Sequence, residues 1–131
     1  MTELVERTLS DTRKSRTVKL EVGGTDFYIT AGEFDDGSLA EIFVQLGGNS
    51  DTIQGLIDAW CITFSMAIQG GADWERLARI LVAQKFDPRG QTNDPSIPEI
   101  RSVIDYVCRW CAKHYGSVRL VADLDRMLRE L

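Results

Sequence analysis

The chain has 131 residues, 44% of them hydrophobic and 27% charged, with a formal net charge of −5. That length and balance suit one soluble globular domain whose core needs no disulfide or metal staple. The acidic excess argues against a nucleic-acid polymer as partner, because such binding rests on many Lys and Arg contacts to phosphate, but it leaves room for a small anion held by two or three local donors. No apolar run approaches a membrane span, and the charged start MTELVERTLSDTRKSR is unlike a signal peptide, so a cytoplasmic protein with no membrane partner is expected. An odd number of cysteines, three, does not suggest a disulfide framework.

In chain order, residues 1–16 are polar and charged, with Arg13, Lys14 and Arg16 close together, and read as a solvated arm or short helix. From Thr17 the period is two: Val18, Leu20 and Val22 alternate with Lys19 and Glu21 as in a half-buried strand. Gly23-Gly24 is a hairpin signal, since glycine accepts the positive φ of a two-residue turn, and Thr25 to Ala31 is the return strand. A turn at Asp35-Asp36-Gly37 leads to a third strand, with Ala40, Ile42, Val44 and Leu46 on one face and Glu41, Phe43 and Gln45 on the other.

Gly47-Gly48-Asn49-Ser50 precedes a long helix that places Ile53, Leu56, Ile57, Trp60, Cys61, Phe64 and Ile68 on one face, with Ser50 or Asp51 as N-cap and Gly70-Gly71 as its stop. The start of that helix is either a plain turn or, through its free N–H groups and dipole, receptive to an anion; it matches no phosphate-loop pattern. A shorter helix, roughly 73–84, buries Trp74, Leu77, Ile80 and Leu81. Next come a polar loop from Phe86 to about Ser96, expected to carry no regular structure, and a helix whose stripe is Ile100, Val103, Ile104, Val107, Cys108 and Cys111. Arg101, Ser102, Asp105, Tyr106, Arg109 and Lys113 fall on its other sides, with Asp105 and Arg109 four apart and within reach of each other.

A last amphipathic helix carries Val118, Leu120, Val121, Leu124, Met127, Leu128 and Leu131, and packs either on its own domain or on a second subunit. Strands first and helices afterwards make the fold class α+β: a three-stranded antiparallel sheet followed by about four helices packed on it, with residues 17–131 as one domain.

The chemistry-bearing residues are few. Cys108 and Cys111 form a C-x-x-C, but both lie on an apolar helix stripe with no second Cys/His pair, so they read as buried and inert; Cys61 reads likewise. His114 is the only histidine and sits at a helix C-terminus, where a cap is its ordinary role. Glu33, Asp35, Asp36, Glu41 and Asp58 show no catalytic spacing, so no enzyme activity, metal or cofactor is expected. Loops of about a dozen residues in small domains are often functional, and this one offers Phe86 for stacking, Arg89 for charge, Asn93 for an amide contact, and Gln91 and Thr92 for hydrogen bonds, with Arg109 behind it. Aromatic, amide and guanidinium groups together suit a nucleotide. The plain alternative is that Phe86 is core and Arg109 only pairs with Asp105.

Tyr28-Ile29-Thr30, Asp36-Gly37, Glu41-Ile42-Phe43-Val44, Gly47-Gly48-x-Ser50, Leu56-Ile57-Asp58-Ala59, Ser65-x-Ala67-Ile68-Gln69-x-Gly71, Lys85-Phe86-Asp87-Pro88-x-Gly90 and Ser102-Val103-Ile104-Asp105-Tyr106-x-x-Arg109-Trp110 together resemble the TSCPD domain, the C-terminal region of adenosylcobalamin-dependent ribonucleotide reductases. The resemblance runs from about Thr17 to Tyr115. The chain shows no reductase barrel, no radical-site cysteines and no cysteine pair at its C-terminal end, so reductase activity is not implied. Free-standing domains of this kind resemble the phage anti-Thoeris sponge proteins, which sequester cyclic ADP-ribose isomers made by TIR-domain immune enzymes without cleaving them. Related members bind cyclic oligonucleotides at separate sites, and the family forms dimers and higher oligomers. The resemblance implies ligand contacts at Phe86, Asn93 and Arg109, with Arg89, Asp105 and Tyr106 as neighbours.

Three functions are therefore open: a non-enzymatic sponge for cyclic nucleotide signals; an accessory module that binds a ribonucleotide reductase subunit or another protein through the last helix; and, weakest, a small hydrolase or redox protein using Cys108 and Cys111.

Overall fold

The computed structural model describes residues 5–48 and 50–130, which divide into two compact units. The first takes in the chain up to Leu20 and then Thr25–Trp74; the second takes in Glu21–Gly24 and everything from Glu75 onward.

The first unit is built on a meander of strands β1 (Ser15–Val22), β2 (Thr25–Glu33) and β3 (Leu39–Gly47), in the order β1-β2-β3. Gly23 and Gly24 both have positive φ, 57° and 77°, as the tight β1–β2 turn demands. β2 and β3 run antiparallel from the pair Asp26 and Gly47 to the pair Gly32 and Glu41, after which a bulge shifts the register. Alternation works as expected: Ala40, Ile42, Val44 and Leu46 are buried, while Phe43 and Gln45 are exposed. Glu41, on the opposite side, is nevertheless buried, because Arg13 Nε reaches its Oε1 at 2.8 Å and Gly32 leaves room for it. A Cβ on Gly32 would lie 2.5 Å from the Glu41 carboxylate.

Helix α1 (Asp51–Gln69) follows, capped by Ser50, whose Oγ accepts from the Ile53 amide. Its polar side chains bond to the backbone of β3. Gln54 accepts from Leu46 N at 2.7 Å and donates to Val44 O; Ser65 Oγ accepts from Ile42 N and donates to Ile42 O; Gln69 donates to Ala40 O. These contacts satisfy alternate residues along an edge strand that no fourth strand pairs among the described residues. The expected apolar stripe is only partly buried as a result: Cys61, Phe64 and Ile68 are inside, whereas Ile53 and Leu56 are exposed. Asn49, expected in the turn before this helix, and Met1–Leu4 lie outside the described residues.

Residues 5–14 form no helix and are anchored rather than free. Arg7 donates to Asp36 and Ser38 and stacks over Phe34 at 3.8 Å, its amide reaches Gln69 O, and Ser10 donates to Asp35.

The second unit holds most of helix α2 (Trp74–Leu81), the short strands β4 (Gly90–Gln91) and β5 (Glu99–Ile100), and helices α3 (Val103–Tyr115) and α4 (Val118–Glu130). Two expectations are corrected here. The loop does carry regular structure, since β4 pairs with β5 antiparallel and Thr92 bridges to Val22. In the second helix the buried residue is Ala78, followed by Val82, while Ile80 is exposed. The last helix packs within its own unit: Ser117 donates to Glu75 through both N–H and Oγ, Arg79 pairs with Asp123 at 3.0 Å, and Leu120 and Leu124 are buried. Leu131 lies outside the described residues. No described helix is long and apolar enough to cross a membrane.

Candidate functional site

The organising element of the second unit is α3. Ser102 is its N-cap, with Oγ accepting from the Asp105 amide at 3.0 Å and donating to Gln84 O at 2.8 Å. The strand pair therefore stops at Ile100, and the helix begins three residues later than the apolar period suggests. A further correction concerns sidedness. Ser102, Asp105 and Tyr106, expected on the outer sides, are fully buried, and so is Trp110. Burial of a polar group is tolerable only where its hydrogen bonds are met, and here they are.

Asp105 accepts from Arg109 Nε at 3.0 Å, from Arg109 Nη2 at 2.8 Å and from the Arg101 amide at 2.8 Å. Tyr106 Oη donates to Asp94 Oδ2 at 2.7 Å, and Asp94 Oδ1 accepts from both the amide and the hydroxyl of Ser96. Partial desolvation pulls the Asp94 carboxyl upward, but the Tyr106 and Ser96 hydrogen bonds and the Lys113 charge outweigh it and hold Asp94 below its ordinary value. Burial, reinforced by Asp94, drives the Tyr106 phenol far above its ordinary value.

A cavity of about 600 Å³ opens beside this network, lined by Lys85, Arg89, Gly90, Glu99, Ile100, Arg101, Asp105, Arg109 and Leu128. Four cationic side chains thus face two carboxylates, and the Asp105 carboxylate is already taken by Arg109. Arg109 also donates to Glu99 O, so most of its donors are spent. Arg101 is different: its Nε and Nη2 are shut off from solvent and meet no hydrogen-bond partner among the described residues. Arg89 pairs with Asp87 at 3.3 Å across an exposed surface, a contact of little strength.

Of the residues chosen from sequence, the cavity wall brings together Arg89, Asp105 and Arg109. Phe86 is partly exposed, next in sequence to the lining residue Lys85, and its amide donates to Arg101 O at 3.0 Å. Tyr106 is not among the lining residues; it is buried, with its hydroxyl given to Asp94. Asn93 is engaged elsewhere: its Oδ1 accepts from Glu21 N at 2.7 Å and its amide donates to Glu21 O, tying the loop to the Glu21–Gly24 segment of the same unit. Lys85 and Arg101 are the lining cations that sequence reasoning passed over. The Ser102-x-x-Asp105 spacing, a capping-box pattern, was the signal that places Arg101 before the helix rather than on its face.

The three cysteines are free and buried. Burial pushes the Cys61 thiol up to about 11 and the Cys108 thiol up to about 12, and holds Cys111 well above its ordinary value. Thiols held protonated in this way are poor nucleophiles and metal ligands.

This is an α+β domain whose second unit carries a cation-rich cavity against a capped, polar-cored helix. The chain belongs to the TSCPD domain family, whose sequence model matches residues 5–115 and so takes in the anchored residues before β1. It is 31% identical over 105 residues to the vitamin B12-dependent ribonucleotide reductase of Streptomyces avermitilis, a match covering 80% of this chain and 11% of that enzyme. Similar relatives, also vitamin B12-dependent ribonucleotide reductases, occur in Rhodopirellula baltica (33% identity, 78% of this chain, 10% of the enzyme) and Bradyrhizobium diazoefficiens (34%, 89% and 9%). The chain thus spans about a tenth of the length of the curated relatives it matches. No solved structure matches it.

Proposed function

We propose that this TSCPD domain is a non-enzymatic binding module that captures cyclic nucleotide signals, cyclic ADP-ribose isomers foremost and cyclic oligonucleotides second, in the manner of the phage anti-defence sponges. It would act in the cytoplasm as a homo-oligomer, with residues 17–131 as the functional domain. The observation that carries the reading is the cavity of about 600 Å³ with Lys85, Arg89, Arg101 and Arg109 on its wall and sealed, unpartnered nitrogens on Arg101. That volume lies within the range of small-ligand sites, and buried guanidinium donors lacking acceptors favour an arriving phosphate. Reaching those nitrogens requires the Arg101 side chain to swing outward, a motion that ligand binding would drive. The Phe86 ring, adjacent to Lys85, offers a base a face to stack on. Asp105 is committed to Arg109 and the Arg101 amide, which leaves it unsuited to proton transfer and agrees with capture without turnover.

Calorimetry with cyclic ADP-ribose isomers and cyclic di- and trinucleotides tests the reading, followed by recovery of the ligand after denaturation. Heat of binding that disappears in Arg101→Ala, with the ligand recovered intact, is the expected result. Absence of heat with every ligand, or a cleaved ligand, overturns it.

A second reading is an accessory module of a ribonucleotide reductase, acting by protein–protein binding; what favours it is that the relatives described above all carry that name. Capture of a reductase subunit by an Arg101→Ala/Phe86→Ala variant as well as by the unaltered chain would favour it over nucleotide capture.

A further inference from the structure

The cation-rich cavity does not end at Arg109. A second cavity of about 330 Å³ adjoins it within the same unit, and Arg109 and Leu128 line both. The two follow the same elements. Along α3, Asp105 and Arg109 line the first, and Arg109, Ala112 and Lys113 the second. Along α4 the order is reversed, with Leu128 at the first and Leu124, Asp125 and Val121 reached only by the second. The segment before α3 behaves likewise: Glu99 and Arg101 face the first, Ser96 and Ile97 the second. The cavities are therefore successive stretches of one groove, whose α3 wall from Asp105 to Lys113 runs about 12 Å at the rise of a helix.

Their chemistry differs. The first stretch holds all the guanidinium groups and Lys85, whereas the second has a floor of Ile97, Ala112 and Leu124, each no more than 4% exposed. Three polar side chains stand at the rim of the second. Lys113 Nζ donates to Ser96 Oγ at 2.9 Å, so these two satisfy each other. Asp125 is left over, its carboxylate having no hydrogen bond or ion pair among the described residues.

We propose that the second stretch is the seat of an adenine base, so that the groove takes an adenine nucleotide lengthwise. The phosphate lies among the cations, the ribose crosses at Arg109 and Leu128, and the ring enters between α3 and α4 with its 6-amino group donating to Asp125. Charge fixes this order, because an apolar floor beside a carboxylate repels a phosphate and accepts a flat ring that can donate to that carboxylate. The crossing point suits a sugar: the head of Arg109 is held by Asp105 and Glu99 O, which leaves its methylenes and Leu128 as the surface there. A volume of about 330 Å³ is at the small end of ligand sites, fit for one base rather than a whole nucleotide. The inference rests on the nucleotide reading above and adds which end of the ligand goes where. Phe86 lines neither stretch and stays open to the second base of a cyclic dinucleotide.

Amide NMR titrations of the full chain with AMP, ribose 5-phosphate and purine riboside 5′-phosphate, which differs from AMP only in lacking the amino group, test it. AMP should bind about tenfold or more tighter than ribose 5-phosphate, since only AMP has a ring to bury. It should bind roughly threefold to tenfold tighter than purine riboside 5′-phosphate, the worth of one hydrogen bond. Asp125→Ala should abolish the second difference and keep most of the first, whereas a merely structural Asp125 would weaken both purine ligands alike. Val121→Trp, which fills the slot, should abolish the first difference. Both side chains are exposed, so the urea midpoint should not move. Equal binding of AMP and ribose 5-phosphate, or differences that survive in both variants, overturns the inference and leaves the phosphate site standing. No binding by these probes or by any cyclic nucleotide overturns the earlier reading with it.

Discussion

Arg109 grips Asp105 from one helical turn away, Nε to Oδ1 at 3.0 Å and Nη2 to Oδ2 at 2.8 Å, with the carboxylate wholly buried. The pair is local in sequence but buried in space, which changes its energetics. An exposed i,i+4 pair is worth a few tenths of a kcal/mol; a buried one is costly to break from one side only.

Arg109→Ala should therefore destabilise the protein by about 3–5 kcal/mol, because it strands a buried carboxylate. Urea denaturation measures this directly. A loss of ligand binding in that variant would report on folding first, which is why Arg101, rather than Arg109, is the residue on which to test the cavity.

The Tyr106–Asp94 bond predicts a pH signature. Asp94 is depressed in the folded state, so its contribution is present above the ordinary carboxylate pKa and is lost as pH falls through the folded value. Tyr106→Phe removes a donor to a charged acceptor and should cost about 1.5–3 kcal/mol at neutral pH. The gap between variant and parent in the urea midpoint should narrow below about pH 4, where unfolded aspartate takes up its proton. A gap that stays constant through that range would assign the loss to packing instead.

Cys61, Cys108 and Cys111 should resist iodoacetamide while the protein is folded and react together once it is unfolded, since each thiol is both buried and held protonated. Mass spectrometry of a timed alkylation gives the answer. Rapid modification of Cys108 or Cys111 in the native state would revive a redox role.

Gly71→Ala should be among the more damaging small substitutions. Gly71 has φ of +91°, and an added Cβ would lie 2.6 Å from the Val5 carbonyl oxygen. The strain in φ alone is worth about 1–2 kcal/mol, and the collision would also dislodge the backbone that precedes β1. Thermal melting should show the loss, and deletion of residues before Arg7 should reduce the penalty by removing the clash.

The strands were legible because alternation is a local property. Ala40, Ile42, Val44 and Leu46 announce their buried face, and Gly23-Gly24 announces its turn through a conformation that other residues avoid. The Asp105–Arg109 pair was legible for the same reason, lying within one turn of a helix. The cavity was legible in part: Arg89, Asp105 and Arg109, singled out from the sequence, line it, whereas Lys85 and Arg101 meet only because the β4–β5 ribbon folds back and brings Phe86 N to Arg101 O. The bond of the Asn93 side-chain oxygen was not legible, because nothing nearby in sequence reveals that the Glu21 amide, 72 positions away, donates to it.

By itself the sequence determined the order of elements, the turns and the polarity of each strand face, because these follow from period, propensity and glycine conformation over a few residues. Only the tertiary structure decided which polar groups are spent and which are left over. Gln54, Ser65 and Gln69 serve the edge of β3, Tyr106 serves Asp94, and Arg101 keeps nitrogens without a partner. The physical reason is that a hydrogen bond in the interior is set by which distant backbone arrives beside a side chain, a quantity that no window along the chain contains.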